Sequence, residues 1–160
     1  MAVQSLALHG RPALFAIGLL LLQPVAAAAQ SRPADPFDHL AGAWQGDGTL
    51  FGRRATFRME WAIKPGGFAV LSFSNGALDA AAVYRRAGDS SGAWLDTRGQ
   101  QLSISWTVGD SSLISIWSGS ETGRTVYRWI GRNEVEVVDS VQAGGGWREF
   151  GRARYRRVVP

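Results

Sequence analysis

From Trp44 to the end of the chain, hydrophobic and polar residues alternate with a period of two over most segments. This alternation is typical of antiparallel strands that bury one face and expose the other. Residues 101–108 show it clearly, with Leu, Ile, Trp and Val separated by Ser and Thr. In residues 55–63, the same period places every second side chain on a common face: Ala55, Phe57, Met59, Trp61 and Ile63. The pattern predicts a domain made almost entirely of β-strands.

Short turn sequences separate the predicted strands. Asn75-Gly76 is the strongest two-residue hairpin signal in the chain. About ten strands joined by hairpin-length loops, without a convincing amphipathic helix, favour a single up-and-down antiparallel barrel over a sandwich. We therefore expect an all-β barrel domain over residues 41–160, in which closure removes the exposed strand edges. Residues 30–40 are expected to form a linker and a short helical turn.

The first 29 residues have the features of a secretory signal peptide. Arg11 precedes an apolar run over residues 13–22, and small residues end the segment at Ala29. Gln23 and Pro24 interrupt the apolar run, which is shorter than the about 20 residues that a membrane-spanning helix needs. We expect cleavage near Ala29, a periplasmic or secreted protein, and no transmembrane segment in the mature chain.

Composition excludes several kinds of site. The chain has no Cys and two His, and its net charge is +4 from 17 basic and 13 acidic residues. Without Cys, and with His39 as the only His beyond the predicted signal peptide, the ordinary zinc and copper ligand sets are missing. We expect no metal and no cofactor. Basic and acidic residues are mixed along the chain, and export argues against a nucleic-acid partner.

The start of the first predicted strand resembles the Gly-x-Trp signature of the lipocalin and calycin superfamily. The wider pattern is similar to a bacterial lipocalin-like family of unknown function. It comprises Gly42-Ala43-Trp44 with glycines at alternate positions, a Trp61 hairpin, Tyr84, Trp94-x-Asp96 and an Arg-rich final strand. The resemblance implies a barrel floor built from these residues: Gly42, Trp44, Gly46 and Gly48.

The same resemblance implies that an Arg near the end of the chain packs over Trp44 in a cation–π contact. The candidates are Arg152, Arg154 and Arg156. Fatty-acid-binding proteins hold a carboxylate with Arg-x-Tyr in the last strand, but here Ala153 stands two residues before Tyr155. That anion anchor is therefore missing.

The seven tryptophans are the strongest chemical signal in the sequence. One interpretation is that they fill the barrel. The other is that aromatic residues on successive strands line a pocket for an apolar or aromatic ligand, since barrel mouths are common ligand sites. The expected ligand-binding residues are Trp94, Trp106, Trp117, Tyr127, Trp129, Glu149 and Tyr155.

Four charged residues lie in predicted strands among apolar neighbours: Asp96, Arg128, Asp139 and Glu149. Any that faced inward would need a partner or a ligand, because an isolated buried charge is costly. Period-two alternation in the last strand places Glu149 and Tyr155 on one face and makes them the favoured internal polar pair. Asp96, Glu149 and Tyr155 are the candidates for acid–base catalysis.

Three functions agree with the sequence. The first is an exported barrel that binds a small apolar or aromatic molecule in its interior. The second is an envelope structural or interaction module whose interior is filled. The third is a small isomerase, cyclase or hydrolase that uses an inward carboxylate, although the fold alone does not give a reaction.

Overall fold

The structure is a computed structural model that describes residues 35–159. The predicted signal peptide and most of the predicted linker lie outside the described residues. A single helical turn, α1 (Pro36–Leu40), precedes ten strands. The strands are β1 (Gly42–Leu50), β2 (Arg53–Lys64), β3 (Phe68–Ser74), β4 (Asp79–Arg85), β5 (Ser91–Asp96), β6 (Gln101–Gly109), β7 (Ser112–Ser118), β8 (Thr122–Gly131), β9 (Glu134–Ala143) and β10 (Gly146–Arg157).

Each strand pairs antiparallel with its neighbour in the chain, and β1 pairs with β10 to close the barrel. The predicted all-β, up-and-down barrel is confirmed. Since consecutive strands run in opposite directions, alternate loops gather at the same end of the barrel. Among residues 35–159, no helix is long and apolar enough to cross a membrane.

The end of the barrel that carries α1 is called the closed end. The side chain of Asp35 accepts a hydrogen bond of 2.9 Å from the backbone N–H of Phe37 and so caps the turn. The guanidinium of Arg86 binds the carboxylates of Asp35, at 2.6 Å, and Asp38, at 2.8 Å. Phe37 and Leu40 are completely buried, which places α1 across this end of the core.

Arg157 is the residue that packs over Trp44, with its guanidinium carbon 4.1 Å from the centre of the indole ring. It also donates hydrogen bonds to the backbone carbonyls of His39, at 2.7 Å, and Ala41. The expected candidates Arg152, Arg154 and Arg156 were wrong, because they point outward and are exposed. Tyr155 faces inward, and the residue two positions later shares its face.

The four residues expected to form the barrel floor divide into two pairs. Gly42 and Trp44 lie at the closed end, whereas Gly46 and Gly48 lie farther along β1, in the barrel wall. A Cβ atom on Gly48 would lie 2.0 Å from the backbone oxygen of Arg152. Glycine therefore permits the close approach of β1 to β10 that completes the barrel.

Candidate functional site

The exposure of the inward-facing side chains varies along the barrel. At the closed end, Trp44, Leu113 and Val135 are at most 1% exposed, whereas Trp106 is partly exposed. At the opposite end, called the open end, Phe73 and Trp94 pack against the core but remain partly exposed. These two rings therefore lie at the rim of the open end.

Aromatic rings form much of the wall in the open half of the barrel. The ring of Phe57 lies 6.2 Å from that of Phe73 and 6.1 Å from that of Tyr155. Phe73 in turn lies 5.9 Å from Trp94. Such aromatic groups on rigid strands present an apolar surface with little conformational entropy to lose on binding a ligand.

A row of three polar side chains crosses β7, β8 and β9 within this apolar wall and ends beside Gly151 in β10. Ser115 pairs with Thr125, Thr125 with Asp139, and Asp139 with Gly151 across β7 to β10. The hydroxyl of Thr125 donates a hydrogen bond of 2.6 Å to Oδ1 of Asp139. The indole N–H of Trp117 donates to the Thr125 hydroxyl at 3.3 Å. A chain of hydrogen bonds therefore links an open-end indole to an inward carboxylate.

The Asp139 carboxyl lies in a poorly solvated environment. Burial raises its pKa from the ordinary value of 3.8 to about 6, although the hydrogen bond from Thr125 acts in the opposite direction. The residue as a whole is half-buried. None of the ion pairs formed among residues 35–159 includes Asp139. The carboxyl is thus an inward acid without a cationic partner in the described part of the chain.

All three tyrosines of the chain are buried and face the interior. Burial is the main cause that raises the pKa of Tyr84, Tyr127 and Tyr155, and the nearby charge of Asp139 raises each pKa further. The hydroxyl of Ser115 donates to that of Tyr84 at 3.1 Å. The tyrosines therefore remain neutral hydroxyls at physiological pH, and they add polar groups without adding charge.

Gly123 makes room for Trp117, its cross-strand neighbour in β7. A Cβ atom at Gly123 would lie 1.9 Å from the indole ring, so a larger residue would displace it. The missing side chain lets the indole lie flat across β8 and bring its N–H to Thr125. This glycine therefore positions the first member of the hydrogen-bond chain.

The residues expected to bind a ligand are divided between the two ends of the barrel. Trp94 and Trp117 lie in the open half, whereas Tyr155 is buried opposite Val135 of β9. Trp106 instead packs at the closed end, 5.0 Å from the ring of Phe37. Two further residues from that set lie in closed-end contacts: Tyr127, 5.4 Å from Trp61, and Trp129, 5.1 Å from His39.

Glu149 does not form an internal pair with Tyr155, and that prediction is wrong. The register of β10 against β9 shifts between Glu149 and Gly151. Such a bulge inserts one residue and reverses the side-chain alternation beyond it. Glu149 therefore lies on the outer face, where its carboxylate binds Arg152 at 2.8 Å.

Asp96 is held in the turn between β5 and β6. Its Oδ1 accepts hydrogen bonds from the backbone N–H groups of Arg98, at 2.9 Å, and Gln100, at 3.1 Å. Its Oδ2 accepts from the Arg98 guanidinium at 3.0 Å. Burial raises the Asp96 pKa, but these hydrogen bonds outweigh it and hold the pKa below its ordinary value. The carboxylate stabilises a turn and has few acceptor positions left for chemistry.

Sequence reasoning left Thr125, Phe73 and Asp139 out of the expected site. A signal for Asp139 was present in its own strand, where Val135 and Val137 are buried and alternate with Glu134 and Glu136. Continuing that alternation by one step turns Asp139 inward. The choice of Glu149 rested on the same rule, applied across a bulge that the rule does not detect.

Two grooves lie on the described part of the chain. One, of about 240 Å³, lies on the outside of β8 to β10, where the guanidinium of Arg124 stacks over Trp147 at 4.7 Å. It is lined mainly by charged and polar side chains. The other, of about 540 Å³, runs along β1 to β4 and is lined by outward-facing polar side chains, such as Arg58, and by the inward-facing Met59 and Phe73. Among residues 35–159, no group of three or more His, Asp or Glu side chains is placed to hold a metal ion.

Comparisons with known proteins identify solved structures with a similar fold. No family model matches the sequence, and no curated protein matches it. The barrel is similar to fatty-acid-binding protein 1 from Echinococcus granulosus, with a TM-score of 0.61 and 10% identity, covering 76% of this chain and 99% of that one. It is also similar to a point mutant of the fluorescent protein UnaG, with a TM-score of 0.56 and 13% identity, covering 77% and 99%.

The fold is a calycin-like barrel. The similarities support a calycin-like barrel fold of ten strands and do not extend to lipocalins in particular, which have eight strands. At 10% and 13% identity, the matches establish the fold of the calycin-like barrel and leave its function to be argued from the site.

Proposed function

We propose that this calycin-like barrel binds a small apolar or aromatic molecule in the open half of its interior. The observation that carries the proposal is the group of inward-facing aromatic side chains in the open half, Phe73, Trp94 and Trp117, which pack against the core and remain partly exposed. The similarity to a protein named for binding fatty acids supports a ligand inside the barrel.

Binding would be driven mainly by removing apolar ligand surface from water. At about 25 cal/mol per Å², burying about 200 Å² contributes about 5 kcal/mol before the cost of immobilising the ligand. The aromatic wall is held by the closed barrel, so little reorganisation is needed. The polar row of Ser115, Thr125 and Asp139 would orient the ligand.

The cellular location and the family relationship of the protein are proposed from its sequence and one structural contact. The signal-peptide features of residues 1–29 support export to the periplasm or beyond. A closer relationship to lipocalin-like bacterial proteins is supported by the Gly-x-Trp motif and by the contact between Arg157 and Trp44.

Native mass spectrometry of the mature protein, purified from its own compartment, tests the proposal directly. We expect a discrete additional mass that solvent extraction releases. A ligand-free mass, together with no change in Trp fluorescence on titration with lipids and aromatic compounds, would overturn the proposal.

A pair of variants locates the ligand within the barrel. Trp117→Phe removes an indole in the open half, and Trp129→Phe removes one at the closed end. We expect the fluorescence response to the ligand to fall strongly in the first variant and to persist in the second. The opposite result would move the site away from the open end.

A further inference from the structure

We propose that Asp139 is the anchor for a positively charged nitrogen, and that the ligand of the barrel is a small aromatic or apolar amine. This inference rests on the proposed function and narrows the chemistry of its ligand. It is carried by the position of one carboxyl group, by the distribution of charge around the interior, and by the aromatic groups beside it.

The Asp139 carboxylate is held in place and still has acceptor capacity. Thr125 donates to Oδ1, and among the described residues it is the one side chain that donates to this carboxyl group. Oδ2 lies beside Gly151, 3.3 Å from the position that a Cβ atom would occupy there. A glycine at this point keeps a side chain away from the second oxygen, and Leu50 borders the same position at 3.2 Å. An ammonium group entering from the open end would find an oriented, incompletely used acceptor.

Asp139 has no basic partner in the described interior. Arg53 and Arg148 share the inward face but lie exposed at the rim of the open end. Arg157 faces inward at the closed end, where it is used by Trp44 and two backbone carbonyls. Ala153 faces inward in the last strand and contributes no charge there. An anionic ligand would therefore meet Asp139, a like charge, in a poorly solvated space. A cationic ligand would neutralise it.

The groups around Asp139 suit an aromatic amine. Trp117 is connected to the carboxyl through Thr125, and its ring lies 6.4 Å from that of Phe150. Electron-rich ring faces attract cations as well as apolar groups. Tyr84, Tyr127 and Tyr155 are the titratable groups whose pKa values respond to the charge of Asp139, and they stay neutral.

Amine binding should be coupled to the protonation of Asp139. Burial raises the pKa of this carboxyl to about 6 in the empty barrel, and a cation beside it would lower that pKa again. The ionised form, which binds the amine, is therefore depleted as the pH falls below about 6. An uncharged ligand of the same shape has no such coupling.

Three probes with one aromatic skeleton test the inference by isothermal titration calorimetry at pH 7.5. They are 1-naphthylmethylamine, 1-naphthylmethanol and 1-naphthoate, which carry a positive, a neutral and a negative polar group. We expect the purified protein to bind the amine about tenfold more tightly than the alcohol, and the carboxylate most weakly. In Asp139→Asn, the preference for the amine should disappear while the affinity for the alcohol changes by less than about twofold.

Glu149→Gln is the matched control, because it removes a carboxylate from the outer face of the barrel. It should leave all three affinities unchanged. A second measurement uses the unmodified protein alone, in case Asp139→Asn does not fold. Its affinity for the amine should fall between pH 7 and pH 5, and its affinity for the alcohol should stay constant.

The outcomes separate this inference from the function on which it rests. Binding of the alcohol as tightly as the amine, or tightest binding of the carboxylate, would overturn the amine inference and leave ligand binding intact. Absence of binding by all three probes, with a ligand-free native mass, would overturn both.

Discussion

Thr125 donates a hydrogen bond of 2.6 Å from its hydroxyl to Oδ1 of Asp139, its direct neighbour across β8 and β9. The same hydroxyl accepts the indole N–H of Trp117 at 3.3 Å. The Thr125 hydroxyl therefore acts at once as acceptor and donor, and its single proton is committed to the carboxyl group. This fixes the orientation of Asp139 in the open half of the barrel before any ligand arrives.

Replacing Thr125 with Val tests the hydrogen-bond chain, because Val has a similar shape and no hydroxyl. We expect the pKa of Asp139 to rise above about 6 as it loses its donor. The free energy of unfolding should fall by about 1 to 3 kcal/mol, since the half-buried indole N–H of Trp117 also loses its acceptor. Carboxyl NMR titration and urea unfolding provide the two measurements. The exposed Thr107→Val is the control, and an equal effect there would contradict the assignment.

Asp139→Asn tests the effect of the buried carboxyl on stability in the absence of ligand. The native pKa of about 6 exceeds the ordinary 3.8, so the native state binds the proton more tightly than the unfolded state does. The contribution of this group is therefore most favourable below pH 4 and is lost as the pH rises through about 6. The neutral tyrosines nearby do not titrate in this range.

The expected result is a pH-dependent difference between the two proteins. As the pH rises from 4 to 7, the unfolding free energy of Asp139→Asn should increase relative to that of the unmodified protein by about 1 to 3 kcal/mol. Urea unfolding at several pH values measures it. A constant difference over this range would mean that Asp139 has an ordinary pKa.

Arg157→Ala tests the closed end. The substitution removes the cation–π contact with Trp44 and two hydrogen bonds to backbone carbonyls, and we expect a loss of about 2 to 4 kcal/mol. Arg157→Lys should recover only part of this, because Lys lacks the planar fork of donors. Arg156→Ala, on the exposed outer face, should change thermal unfolding little. Equal losses at both positions would argue against the closed-end role.

Gly123→Ala tests the placement of Trp117. The added methyl group would overlap the indole ring, so the ring must move away from Thr125. We expect a loss of about 1 to 3 kcal/mol and an altered Trp fluorescence spectrum. Gly131→Ala in the same strand has open space around the new Cβ and should behave like the unmodified protein. An unchanged spectrum in Gly123→Ala would show that the indole is not confined by this glycine.

The strands and their connections could be predicted from the sequence because both are local properties. Side-chain alternation in residues such as Phe57, Met59 and Trp61 identifies a half-buried strand. Asn75-Gly76 correctly marks the connection between β3 and β4, although the loop there covers residues 75–78 and is longer than the two-residue hairpin that was predicted. A succession of such hairpins leads to an up-and-down sheet. The order of strands within the barrel follows from the order in the chain.

The candidate site was predicted only in part. Trp94 and Trp117 were expected inside and lie in the open half, whereas Trp106 and Trp129 lie beside α1 at the closed end. Tyr155 was also expected inside and is buried opposite Val135. Alternation gives the face of a side chain but not its height in the barrel. Height depends on the stagger between strands and on which end α1 covers.

Glu149 and Asp139 show where local alternation fails. The bulge that turns Glu149 outward arises from the pairing of β10 with β9, and the sequence of β10 alone contains no sign of it. Alternation by itself determined the strands, the hairpins and the barrel. Only the tertiary structure decided which carboxyl group lies inside, because that choice depends on register between distant segments, and one extra residue reverses it.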